Sequence, residues 1–145
     1  RCQLIHFNNL SQDELYSWVE DILQNKDDKS VIPSYMTPKK VSQLIDDGLF
    51  EDLKILNNHL CTLFNKGIDG KVISDVIDLN IDFNEKLNYI IDFALSTSKE
   101  GNSNIHPVRL SDFIQELSNF RENLFEINSL NQRYSLHHLL LRIPC

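Results

Sequence analysis

The run Asp78-Leu79-Asn80-Ile81-Asp82-Phe83-Asn84 sets oxygen-bearing side chains at alternate positions, as the opening of a calcium-binding loop does. Such a loop also needs a glycine at its sixth place, for the sharp turn, and a bidentate glutamate at its twelfth. Those places hold Phe83 and Tyr89. The run therefore predicts a turn between two helices, with Asp82 capping the second. His137 and His138 are adjacent, so on a helix their side chains diverge by about 100° and cannot share one ion. His59 and Cys61 stand two apart, again the wrong helical spacing, and no paired Cys/His cluster of the zinc-site type occurs. The carboxylates Asp46-Asp47 and Glu51-Asp52 could in principle divide general-acid and general-base work. Flanking Gly48, they read instead as a solvated connection, with negative charge favourably placed at the start of the next helix. There is no G-x-S-x-G elbow and no G-x-x-x-x-G-K-[ST] phosphate loop. The expectation is a chain with no catalytic residue, no metal and no cofactor of its own.

The elements around these residues are helical. Residues 2–7 are rich enough in Ile, Leu and Phe for one short strand. Ser11-Gln12-Asp13-Glu14 then forms a capping box. Leu15, Trp18, Val19, Ile22 and Leu23 follow at helical spacing and predict one buried face. Thr37-Pro38 starts a helix that buries Val41, Leu44 and Ile45 and stops at Gly48. A longer helix over 50–65 turns Leu53, Leu56, Leu60, Leu63 and Phe64 to the core and ends at Gly67. Val72, Ile73, Val76 and Ile77 mark a short helix, and Leu87, Ile90, Ile91, Ala94 and Leu95 the face of the one that Asp82 caps. Residues 96–104 read as a flexible loop, after which Ser111 caps a helix carrying Phe113, Ile114, Leu117, Phe120, Leu124 and Phe125. A last helix near 131–142 buries some of Leu136, Leu139, Leu140 and Leu141. The predicted fold is all-α, a compact array of six to seven helices with one short N-terminal strand. It divides at 66/67 into two subdomains, 1–66 and 67–145, or runs as one continuous domain.

Composition narrows the partners. Fourteen basic residues against 21 acidic ones leave a formal charge of −7, and Lys39-Lys40 is the only adjacent basic pair. A nucleic-acid binder needs a basic face to displace condensed counterions, so direct binding of DNA or RNA by this segment is not expected. No apolar run reaches the ~18–20 residues of a membrane span, and no secretory leader is seen. Three cysteines, Cys2, Cys61 and Cys145, are too few and too far apart for a disulfide framework. They read as reduced thiols of an intracellular protein, nuclear or cytoplasmic, with Cys61 in a helix core and a Cys2–Cys145 bond as the open alternative. The sequon Asn9-Leu10-Ser11 coincides with the helix cap and is read as chance.

Arg1-Cys2, the strand from Gln3 to Phe7 and then Leu10-Ser11-Gln12-Asp13-Glu14-Leu15 form a connected pattern. It resembles the junction at which the ATPase core of clamp-loader-type AAA+ subunits passes into a helical lid. In that family the corresponding residues run S-R-C, strand, L-[ST]-x-x-[DE]-[LI]. Further on, Glu51-Asp52-Leu53-Lys54-Ile55-Leu56-Asn57-Asn58-His59-Leu60 is similar to the family's G-D-x-R-x-A-L-x-x-L. Glu51 replaces the glycine, and Lys54 replaces the arginine that senses the γ-phosphate. Lysine keeps the charge but not the planar bidentate fork. The resemblance covers residues 1–64. It implies that Arg1 and Lys54 are the nucleotide-sensing candidates, that ATP is bound only through a core outside this chain, and that the helices from 69 to 142 form a collar holding sister subunits. On this reading the strand belongs to a sheet upstream, in a longer protein of DNA replication or repair.

The alternative expectation belongs to another class. An autonomous helical adaptor, viral or cellular, would hold a partner helix in an apolar groove. Its candidate face is Phe120, Leu124, Phe125, Leu139 and Leu140, residues that core packing would equally account for. Other protein subunits are the expected partners on either reading.

Overall fold

Ser11 accepts the Glu14 N–H through its hydroxyl at 3.3 Å, while Glu14 Oε2 accepts the Ser11 N–H at 2.8 Å, so the capping box read from the sequence opens the first helix. The computed structural model describes residues 11–20, 22–23, 26–100, 105–126 and 128–143. Seven α-helices follow one another: α1 Gln12–Val19, α2 Pro38–Asp46, α3 Phe50–Lys66, α4 Gly70–Asp78, α5 Phe83–Glu100, α6 Pro107–Glu122 and α7 Ser129–Leu140. Two 3₁₀ turns, Lys26–Val31 and Leu124–Glu126, join them. No strand occurs among the described residues, and the fold is an all-α compact array. The expected strand at 2–7 lies outside the described residues.

α3 is the spine. Phe50, Leu53, Leu56, Leu60, Leu63 and Phe64 are all buried along it, and it meets α2, α4, α5 and the first 3₁₀ turn. Gly67, at φ +94°, ends it as the sequence predicts, in a backbone region that β-carbon-bearing residues avoid. α5 and α6 pack along their length, and Phe64 meets both edge-on, at 5.2 Å from the Phe93 ring and 6.2 Å from the Phe113 ring. α7 closes the array against α4 and α6. Buried side chains from Leu15 to Ile143 belong to one cluster, drawn from both sides of the 66/67 connection.

Several boundaries and faces differ from expectation. Trp18, predicted buried, is 52% exposed, and Ile22 lies at the surface too. Tyr16, not Trp18, packs beside Leu15 and Val19. The buried stripe of α1 is therefore centred on the Tyr16 side, which turns Trp18 outward. Leu95 and Leu141 are also exposed. Residues 96–100, read as loop, continue α5, with the Thr97 hydroxyl donating back to the Phe93 carbonyl at 2.8 Å. Residues 101–104 lie outside the described residues. α6 starts one turn before Ser111, with Pro107 at its first position and His106 Nδ1 accepting the Val108 N–H at 3.4 Å. Its first turn is anchored by the buried Leu110. Cys61 is half-buried on α3 instead of sealed in the core, and burial pushes its thiol up from the ordinary cysteine value.

Candidate functional site

Two corners of the molecule concentrate charged groups, and the sequence singled out only one of them. At the first, α2 runs into Gly48, whose φ of +72° makes the tight turn into α3. α3 then opens with Glu51 and Asp52 in its first turn, where negative charge complements the helix N-terminus. Lys54 follows one turn in. Its ammonium lies 2.8 Å from Glu51 Oε1 and 5.9 Å from the centre of the Phe50 ring, with 28% of its side chain exposed. Asp46, Asp47 and Glu51 all face solvent around it. This is a cation at a surface edge, held by a three-residue ion pair that solvent screens. Arg1, the other nucleotide-sensing candidate, lies outside the described residues.

Asp82, from the calcium-like run, accepts the Asn84 and Glu85 N–H groups at 3.0 and 3.2 Å and so caps α5 as expected. Among the described residues no group of three His, Cys, Asp or Glu side chains gathers where an ion could be held.

The second corner was missed. Lys86 is only 2% exposed, the one charged residue in the core among those described. Its ammonium donates to the Ile77 carbonyl at 2.7 Å and the Leu79 carbonyl at 3.1 Å, the bare end of α4. Asp78 stands at the same end, where a carboxylate opposes the helix dipole, and Arg133 of α7 pairs with it. Burial first, and then the neighbouring Arg133, lower the proton affinity of Lys86, while Asp78 acts the other way. Two cations thus neutralise one negative helix end and tie α4 to α5 and α7. Beside this junction Ser74, Ile77, Asp78, Arg133, Tyr134 and His137 line an open groove of about 380 Å³. The sequence did hold a signal: Phe83, Lys86, Ile90 and Phe93 stand at helical spacing, so the lysine interrupts an apolar stripe.

A third polar centre fixes the segment between α1 and α2. Tyr89 is 3% exposed and donates its hydroxyl proton to the Val31 carbonyl at 2.8 Å. Asn57 Oδ1 lies 3.0 Å from the same hydroxyl. A phenol has one proton to give, so the Asn57 amide serves this contact best turned to donate to the Tyr89 oxygen. Nearby, Asp92 accepts both the Ser34 N–H at 3.2 Å and the Ser34 hydroxyl at 2.6 Å. These contacts position a loop.

The apolar candidates are packing residues. Phe120, Leu124 and Leu140 are buried, Leu139 is partly buried against the core, and the Phe120 ring meets Phe83 edge-on at 6.2 Å. The side chain of Phe125 lies outside the described residues. No helix of the described residues is long and apolar enough to cross a membrane. No protein-family model, no curated protein and no solved structure matches this chain.

Proposed function

We propose that the chain is the lid-and-collar portion of a clamp-loader-like AAA+ subunit, serving subunit assembly and nucleotide-linked motion in DNA replication or repair. It is non-catalytic by itself, and it meets ATP only through a core domain supplied elsewhere. One observation carries the reading: Lys54 stands one turn into α3, after the tight Gly48 turn, with its ammonium at a surface edge and paired with Glu51. A long side chain so placed can swing to a phosphate brought against that edge, because an exposed ion pair costs about 0–1 kcal/mol to break. The acidic surface suits a part that touches protein partners and leaves DNA to other domains.

The adaptor alternative rests on a free apolar face at Phe120, Leu124, Phe125, Leu139 and Leu140, and Phe120, Leu124 and Leu140 are sealed in the core. No observation favours it over the first reading.

The test starts from the endogenous gene product, tagged in its own cell and purified with whatever it holds. The expected product is far heavier than 16.9 kDa and comes with ATPase activity. Lys54→Ala should weaken the coupling of that activity to assembly, and Lys54→Arg should restore it, with thermal unfolding unchanged in both. A product of this chain's own mass, or an ATPase indifferent to Lys54, overturns the proposal.

A further inference from the structure

Thr37-Pro38-Lys39-Lys40 joins an exposed hydroxyl, a proline immediately after it and a lysine three places on. We propose that Thr37 is a phosphorylation site for a proline-directed protein kinase, one whose surface takes a donor-less ring next to the acceptor residue and carries carboxylates for the lysine.

The chemistry of the four residues fits that recognition. Pro38 lacks an N–H, so the surface that receives it needs no acceptor opposite. Its locked φ suits both a helix start and an extended strand, and only ψ must turn for the segment to straighten. Thr37 is already extended, at φ −92° and ψ 154°. Its oxygen accepts the Lys40 N–H at 3.3 Å, which leaves the hydroxyl's own proton uncommitted by the cap.

The segment can also open without disturbing the core. Met36 and Val41 are buried on either side, and besides α2's own backbone ladder, which starts at Pro38, three contacts hold the residues between them. These are the cap bond, the Val41 N–H to the Thr37 carbonyl at 3.1 Å, and an ion pair between Lys40 and Glu85 at 3.1 Å whose side chains are 40% and 31% exposed. Thr37 and Lys39 are exposed and the Lys40–Glu85 pair is reached by solvent, so opening the cap and that pair frays only the first turn of α2, with the Val41 side chain left in the core.

In the reaction Thr37 Oγ1 attacks the γ-phosphorus of ATP. The Oγ1–P bond forms, the bond from that phosphorus to the bridging oxygen breaks, ADP leaves with the electron pair, and the hydroxyl proton goes to the kinase's base. The product places a charge of about −1.5 to −2 at the start of α2, beside Lys39 and Lys40. The phosphate competes with Glu85 for Lys40 and unties α2 from α5 at this corner.

The full chain is incubated with ATP and a purified cyclin-dependent kinase, and incorporation is followed by intact mass and located by tandem mass spectrometry. One phosphoryl group on Thr37 is expected. Pro38→Ala, which keeps the hydroxyl and the cap, should slow incorporation about tenfold or more. Lys40→Ala separates recognition from mere exposure. It loosens the corner by removing the Glu85 tie, so a site limited only by access would react faster, whereas a site read through its lysine reacts more slowly. Absence of phosphate from Thr37, equal rates in the Pro38→Ala chain, or acceleration in the Lys40→Ala chain each overturns the assignment. Circular dichroism of the variants checks that both retain the helical fold, and either variant alone suffices for the decision.

Discussion

Replacing Lys86 with methionine tests whether a buried ammonium holds the end of α4. The substitution keeps the length and the apolar stem and removes the charge and its donors. The Ile77 and Leu79 carbonyls then each lose a charged hydrogen bond, worth about 1.5–3 kcal/mol apiece. Against this, methionine needs no desolvation and feels no repulsion from Arg133, and relief of that kind returns a good part of such losses. The expected net is a destabilisation of about 2–4 kcal/mol, or roughly 5–15 °C in the unfolding midpoint for a chain of this size. Urea unfolding followed by far-ultraviolet circular dichroism reads it directly, with an unchanged slope as the check that only stability moved. The pH dependence supplies a second readout. Burial and Arg133 lower the proton affinity of folded Lys86 below its ordinary 10.5. In the window from the folded value up to 10.5 the unfolded chain binds the extra proton, so this group's contribution makes stability rise with pH. The Lys86→Met chain should lack that rise. A variant within about 0.5 kcal/mol of the parent, or a more stable one, would refute the capping argument.

Tyr89→Phe should cost about 1–2 kcal/mol in urea unfolding, because the buried Val31 carbonyl and the half-buried Asn57 amide both lose the phenol. Burial pushes the ionisation of Tyr89 well up, so above about pH 10 the unfolded chain gives up a proton that the folded chain keeps. Stability therefore falls with rising pH there, and the phenylalanine variant should show a shallower alkaline decline in the same titration. Trp18→Ala should cost only about 1 kcal/mol, not the roughly 3–5 of a buried tryptophan, and acrylamide should quench Trp18 fluorescence readily in the native chain. Asp82→Ala removes the α5 cap and should lower stability by about 1 kcal/mol, while Asp82→Asn, which can still accept both N–H groups, should stay near the parent.

Some helix starts were legible from a side chain that caps its own helix within three residues, although the Asp69 cap of α4 and the Asn128 cap of α7 were not. Ser11, Thr37 and Asp82 each announced the element that the structure shows, because the cap and the freed N–H are neighbours in sequence. The α6 start was not, since a histidine acceptor is a rare cap and Ser111 offered a commoner one five residues late. Helix faces were legible only where the apolar stripe was wide. On α3 six residues left a single rotation of the helix possible. On α1, five apolar residues and a tyrosine allowed two, and the choice between Tyr16 and Trp18 was made by α2, which sequence spacing cannot see.

The same distinction separates the two charged corners. Lys54 and Glu51 lie one helical turn apart, so their pairing follows from α-helical spacing alone. Lys86 instead answers carbonyls seven and nine residues back, and Asp78 is met by Arg133 from 55 residues away. Such a junction depends on how α4, α5 and α7 meet, and only its local trace, a lysine set into an apolar stripe, could have been read beforehand. That trace also has a physical consequence. A charge that must be buried tolerates few geometries, since any shift of α4 relative to α5 strips the ammonium of its acceptors at a cost of several kcal/mol. The α4–α5–α7 junction is therefore expected to move as one piece, whereas the Lys54–Glu51 pair at the start of α3 is screened by solvent and contributes little to holding that helix end. Native-state hydrogen exchange can check this: the amides that follow the α4 end should open only with global unfolding, and those at the start of α3 well before it.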